Sequence, residues 1–339
     1  MLEDTHIPES LIINRLQVES GLDPIQVSFL PLGYDLRTAV YRMETQPGEA
    51  YFLKLRTGEF TPIVVTLPQY LSRLGIPGII EPLATRTGKL FGQLDQRVMI
   101  LYPFIDGKDG YQVSLSEQQW LALGIILKRV HEVRLPAELK QLIQVEWYNP
   151  HWRERLIRFL DQVDREKFDD PISAKFAAFM LSQRETIRYI VSRATDLAQS
   201  LRQQSIDFVL CHNDPHPGNY LVADNGELYL VDWDDPILAP RERDLIFFDE
   251  ETSGTQLDGS AVNRFYEGYG QVKINFTALA YFRFERIIVD MAEFCQQILM
   301  TRTGDEDRQQ AYIYFADSFS PGHDVERAIK TEQLAGGNS

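Results

Sequence analysis

The chain has 339 residues, enough for one large or two moderate domains, and 44% of them are hydrophobic, which excludes global disorder. A formal net charge of −15 sets the surface against polyanions, which argues against nucleic acid and anionic membrane as partners; it favours a cationic ligand, with solubility alone as the plainer account of the acidity. Only two cysteines occur, Cys211 and Cys295, and neither belongs to a CxxC pair, so both read as reduced core residues of a cytoplasmic protein.

Residues 1–4 lack the basic and apolar stretches of a signal peptide, and no apolar run approaches the ~18 residues needed to span a bilayer. In chain order, the periodicity predicts a short amphipathic helix over 9–20, with Leu11, Ile12, Leu16 and Val18 apolar. Strands are expected at 27–31, 39–43 and 50–55, with a turn at Pro47-Gly48 and Lys54 near the end of the third. Residues 63–74 read as helix despite Pro68, and 89–94 with 97–104 as a second hairpin. The polar stretch 106–110 reads as flexible, and the texture changes after it. Helical periodicity covers 116–132, 150–167 and 172–204, then 261–269, 276–301 and 306–319 after a β segment at 206–233. The expected fold class is therefore α+β: a β-rich N-terminal lobe over 1–104 and a mainly helical C-terminal lobe over 105–339.

The β segment carries the chemistry. An apolar strand at 209–211 enters a loop holding His212, Asp214, His216 and Asn219, and a second apolar strand at 228–231 runs into Asp232-Trp233-Asp234. If the two strands pair, Asp214, Asn219 and Asp232 meet at one end. Phosphoryl transfer needs one carboxylate to orient a hydroxyl and take its proton, and hard oxygen ligands to hold Mg²⁺ on the phosphates. Asp214 suits the first task, and Asn219 with Asp232 the second. The spacing His212-x-Asp214-x-x-x-x-Asn219, with a later Asp, matches the catalytic loop of kinases. Lys54, a cation ending an apolar strand, suits the α/β-phosphates.

The segments C-H-N-D-P-H-P-G-N-Y-L-V (211–222), L-V-D-W-D-D-P-I-L-A-P-R-E-R-D-L (230–245), F-Y-E-G-Y-G (265–270), R-F-E-R-I-I-V-D (283–290) and L-G-I-I-L-K-R-V-H-E (123–132) resemble the aminoglycoside phosphotransferase family. The resemblance spans nearly the whole chain. It implies a two-lobed protein-kinase-like fold, ATP as donor, Mg²⁺, and an aminocyclitol or aminoglycoside-type acceptor, spectinomycin first among them. It also implies that His212 orients the loop from behind. A housekeeping kinase of a hydroxylated metabolite and an inactive nucleotide-binding relative remain open.

Two features depart from the kinase pattern. No GxGxxG occurs, and Gly33 alone offers a turn over the nucleotide. The helix after Lys54 contains no acid between 60 and 74, leaving Glu59 or nothing to pair with Lys54. Tyr102 C=O and Phe104 N–H, on either side of Pro103, are candidates to read adenine. His131 reads as a structural helix-end residue, and Tyr266 and Tyr269 as core. Asp234, Asp290 and Glu293 are acceptor-site candidates, with an intrahelical salt bridge to Arg286 as the plainer account of Asp290. Asp249-Glu250-Glu251 reads as an exposed charged turn.

Overall fold

A computed structural model describes residues 7–32, 37–45, 49–248, 259–302 and 304–336. Gly33 and the acidic run 249–251 lie outside them. In chain order the elements are α1 (Glu9–Ser20), β1 (Pro24–Leu30), β2 (Thr38–Thr45), β3 (Ala50–Arg56), α2 (Ile63–Arg73), β4 (Gly92–Leu94), β5 (Arg97–Pro103) and β6 (Gly107–Asp109). Then come α3 (Glu117–His131), α4 (Ala137–Lys140), β7 (Gln144–Val145), α5 (His151–Arg165), α6 (Pro171–Ser182), α7 (Arg184–Leu201) and β8 (Val209–Cys211). A 3₁₀ turn at Pro217–Asn219 leads to β9 (Tyr220–Ala223), β10 (Leu228–Leu230), β11 (Ile237–Ala239), α8 (Glu242–Leu245), α9 (Gly259–Tyr269), α10 (Phe276–Met300), α11 (Asp305–Asp317) and α12 (Asp324–Gly336).

The chain divides into two compact units. One comprises Met1–Gln144, His212–Ile237 and Arg264–Gly270; the other comprises Val145–Cys211, Leu238–Asn263 and Gln271–Ser339.

The first unit is built on a five-stranded antiparallel sheet in the order β1-β2-β3-β5-β4. Alternate residues of a strand face opposite sides. Tyr41, Met43, Leu53, Leu55, Met99 and Leu101 therefore share one face, where they bury against Ile12 and Leu16 of α1. Each buried aliphatic side chain of this kind contributes about 1.5–3 kcal/mol. The same alternation turns Lys54 and Arg56 to the other face, with Ile100 opposite Lys54 and Tyr102 opposite Phe52. The polar stretch expected to be flexible is instead a strand. β6 pairs with β9 in a second sheet, ordered β10-β9-β6, and Gly107 is required there because a Cβ would meet the Val222 carbonyl oxygen at 2.3 Å.

That second sheet corrects the expected hairpin. β10 pairs with β9, whereas β8 belongs to a separate small sheet, ordered β7-β11-β8. The strand entering the loop thus does not pair with the strand leaving it, although Asp214, Asn219 and Asp232 still fall within one unit.

α3 opens with a capping box, Ser116 and Gln119 each bonding the other's backbone N–H. It meets the C-terminal end of α9 at very close range. A Cβ on Gly124 would lie 2.1 Å from the Phe265 carbonyl oxygen, and one on Gly268 would lie 2.1 Å from that of Leu121. At the end of α3, buried His131 makes a 2.6 Å bond through Nδ1 to the Tyr269 hydroxyl, a structural role as expected.

The second unit is helical around α10, which is buried on nearly every side and packs against α5, α6, α7, α8, α11 and α12. Such an apolar helix must lie inside a core. The single helix expected over 172–204 is two, broken at Gln183. Within this unit burial pushes the Glu285 carboxyl up to about 7, partly opposed by Arg153 and Arg243. Both cysteines are buried and free, and burial raises their thiols well above the usual range. Among the described residues, no helix is long and apolar enough to cross a membrane.

Candidate active site

The loop after β8 is held by its own backbone and by His212. The Asp214 N–H donates to His212 Nδ1 at 3.3 Å, and His212 Nε2 lies 2.9 Å from the Val231 carbonyl oxygen. With Nδ1 accepting from the Asp214 N–H, Nε2 is left to donate to the Val231 carbonyl. The ring is 1% exposed and packs against Trp233, so His212 braces the loop and cannot serve as base.

Asp214, the carboxylate inside the loop, has 40% of its side chain exposed. Its carbonyl oxygen accepts from the His216 N–H at 2.9 Å and from Asn219 Nδ2 at 2.8 Å. That second bond orients the Asn219 amide and directs its Oδ1 away from Asp214. Asn219 is anchored again where Val231 N–H donates to its carbonyl oxygen at 3.0 Å. His216 stacks on Tyr111, accepts at Nδ1 from the Gly218 N–H, and places Nε2 3.7 Å from Asp214 Oδ2. Asn213 and Asp232 both adopt positive φ, 83° and 67°, in the left-handed region that non-glycine residues enter rarely and Asn and Asp most readily.

Lys54 is 9% exposed and reaches two carboxylates at once, Asp232 Oδ1 at 2.8 Å and Asp234 Oδ2 at 2.7 Å. Neither expectation for its partner holds. Glu59 is not the counter-ion, and the lysine is not unpaired. The partners come from the D-W-D segment, about 180 positions away in sequence. Burial alone would lower the Lys54 ammonium, but the two aspartates outweigh it and hold the group well above the usual lysine range. Desolvation works against ionising Asp232, yet Lys54 dominates and brings its carboxyl down to about 2. The side chain is half-exposed, so solvent screens part of that attraction. Asp234 moves the other way: burial raises it, with Asp232 adding to the effect and Lys54 and Arg56 opposing it.

Arg56, which sequence reasoning missed, completes the group with Nη1 2.9 Å from Asp234 Oδ2. The signal was available, because residues two apart on a strand share a face. Asp234 thus accepts from two cations, Lys54 and Arg56. Asp290 accepts from Arg286 Nε at 2.9 Å on α10, the intrahelical bridge, and Glu293 is exposed on the same helix; both belong to the second unit.

The backbone atoms expected to read adenine are engaged within the sheet. Phe104 N–H donates to the Ala50 carbonyl oxygen at 3.1 Å, continuing the β3–β5 ladder. Tyr102 has the same parity, so its backbone also faces β3. Pro103 faces outward, on the side where the Leu101 carbonyl accepts from Leu83 N–H at 2.7 Å.

Residues 27–282 match the sequence profile of the Phosphotransferase enzyme family. The chain belongs to that family. The phosphotransferase superposes on the crystal structure of spectinomycin phosphotransferase APH(9)-Ia in complex with ADP and spectinomycin with a TM-score of 0.89 and 34% identity, over 97% of this chain and 100% of the other. Two more distant structures share the fold. These are the amicoumacin kinase hAmiN in complex with AMP-PNP, Ca²⁺ and Ami (TM-score 0.59, 18% identity, 95% and 97% of the two chains) and the choline kinase LicA from Streptococcus pneumoniae (0.56, 14%, 92% and 99%). A search of curated proteins finds no match. The expected α+β kinase-like fold, sheet-rich at the N-terminal end and helical beyond, is that of this phosphotransferase, an enzyme acting on a hydroxyl acceptor.

Proposed function

We propose that the phosphotransferase moves the γ-phosphoryl group of ATP onto a hydroxyl of a small, cationic, polyhydroxylated antibiotic, with spectinomycin as the first candidate. The observation that carries this reading is the 34%-identical structure that holds ADP and spectinomycin and aligns over the full length of both chains. Residues 1–104 would hold the nucleotide, and residues 105–339 would supply the catalytic groups and the acceptor site. Asp214 orients the attacking hydroxyl and accepts its proton. Lys54 meets the phosphates. The adenine edge is read by the outward-facing backbone after β5, Pro103 C=O and Ile105 N–H. The two buried free cysteines support a reducing, cytoplasmic setting, and the antibiotic reading carries a role in resistance.

The donor set fits Mg²⁺. Asn219, its amide nitrogen committed to Asp214, offers a neutral oxygen, and Asp232 offers an ionised, half-exposed carboxylate. A hard cation takes such oxygens and, when bound, neutralises charge on the transferring phosphate. Asp232→Asn is expected to raise the Mg²⁺ concentration for half-maximal rate by at least about tenfold, because one anionic ligand is lost. An unchanged Mg²⁺ titration would remove Asp232 from the metal site.

The acceptor is tested by Mg²⁺-dependent nucleotide consumption with spectinomycin, choline and a typical aminoglycoside side by side. Spectinomycin is expected to give the highest kcat/KM. Turnover of choline without spectinomycin would discard the antibiotic and keep the phosphotransferase.

A further inference from the structure

We propose that Asp234, buttressed by Arg56, positions Lys54 in place of the helix-borne acid that this chain lacks. The inference rests on the phosphotransferase reading above and assigns a working pair within that site. A lysine that must meet phosphates needs a fixed counter-charge, since its four-carbon stem otherwise samples many rotamers. In protein kinases a Glu on the following helix supplies it. Here α2, the helix after β3, reads I-V-V-T-L-P-Q-Y-L-S-R and carries no carboxylate.

Two aspartates reach Lys54 instead, and they are not equivalent. Asp232 is half-exposed and suited to a cation, a task that draws its carboxylate away from the lysine. Asp234 is 17% exposed on its side chain, lies 2.7 Å from Lys54, and is fixed from the far side by Arg56 Nη1 at 2.9 Å. Arg56 is 8% exposed, and its Nε is buried without a hydrogen-bond partner among the described residues. Burying a guanidinium so incompletely satisfied is costly. The carboxylate of Asp234 is what offsets that cost. The order Lys54–Asp234–Arg56 therefore gives the lysine a counter-ion that remains when Asp232 engages metal. Both cations come from one face of β3, two residues apart, so a single carboxylate reaches both without moving the backbone.

The test begins without nucleotide. In the folded apoprotein, the rate at which acetic anhydride modifies Lys54, followed by peptide mass spectrometry against the other lysines, reports how firmly the ammonium is held. Asp234→Asn is expected to raise that rate about tenfold, because the amine loses the buried carboxylate that holds it at 2.7 Å. Arg56→Gln should raise it less, and Asp234→Glu should restore most of the protection. With ATP and acceptor, Asp234→Asn should lower kcat/KM for nucleotide at least tenfold and leave the acceptor KM within twofold. Adding Arg56→Gln to Asp234→Asn should cause no further loss, because Arg56 acts through Asp234. An unchanged acetylation rate in Asp234→Asn would overturn the proposal. So would a rise in acceptor KM with nucleotide parameters intact, which would return Asp234 to the acceptor. If the wild-type protein transfers no phosphate, the functional reading fails, while the acetylation series still decides whether Asp234 and Arg56 hold Lys54.

Discussion

Asp214→Ala is expected to lower kcat at least ~100-fold while ADP affinity stays within about threefold of wild type, the loss typical of removing a positioned general base. The loop should keep its shape without the carboxylate. Its backbone is fixed by Asp214 N–H to His212 and by the Asp214 carbonyl with His216 and Asn219, none of which uses the side chain. The neighbouring side chains are poor substitutes. His212 is closed off with both ring nitrogens engaged, and His216 has Nδ1 occupied by Gly218. Steady-state kinetics and calorimetric titration with ADP check the two halves separately. A variant that retains more than a tenth of wild-type kcat would show that Asp214 is not the base.

The second large effect concerns stability. Gly268→Ala and Gly124→Ala are each expected to cost at least ~3 kcal/mol, at the upper end of overpacking losses. In both cases the new methyl carbon meets a backbone oxygen at 2.1 Å, which no side-chain rotation can relieve. The helices must separate, and that would disturb the stacked rings of Phe265 and Tyr269 and the buried His131–Tyr269 bond. Thermal melting should fall by roughly 5–10 °C for each substitution, using the usual scaling for large domains. Because the two contacts belong to one crossing, the double variant should lose less than the sum. A change under 1 °C would mean that α3 and α9 yield without cost.

Much of this was legible in the sequence where local chemistry decides it. The apolar run 50–55 marked β3 with Lys54 near its end, and the spacing from His212 to Asn219 marked the loop. What escaped depends on partners distant in the chain. Three-residue strands such as β8 and β10 carry no record of what they pair with, so the hairpin was drawn between the wrong two. β6 has no apolar residue and was hidden in a polar run. Gln183 breaks a helix without proline or glycine, and α12 gave no signal that was taken up. That the backbone of Tyr102 and Phe104 faces β3 was not legible, because parity is set by the β3 register, not by Pro103. The acid for Lys54 was sought on the nearest helix, whereas it lies beyond the catalytic loop.

The make-up of the first compact unit bears on how the protein is synthesised. Its sheet of β6, β9 and β10 needs residues 107–109 together with 220–230, and the crossing of α3 needs residues up to Gly270. A nascent chain that has emerged only as far as Gln144 therefore holds α3 without β10 and the end of α9 against it. At about 5–20 residues per second, the missing pieces arrive only on the order of ten seconds later. During that interval the exposed helix is a target for chaperones, and an N-terminal fragment ending at residue 144 would be a poor choice for expressing this unit on its own.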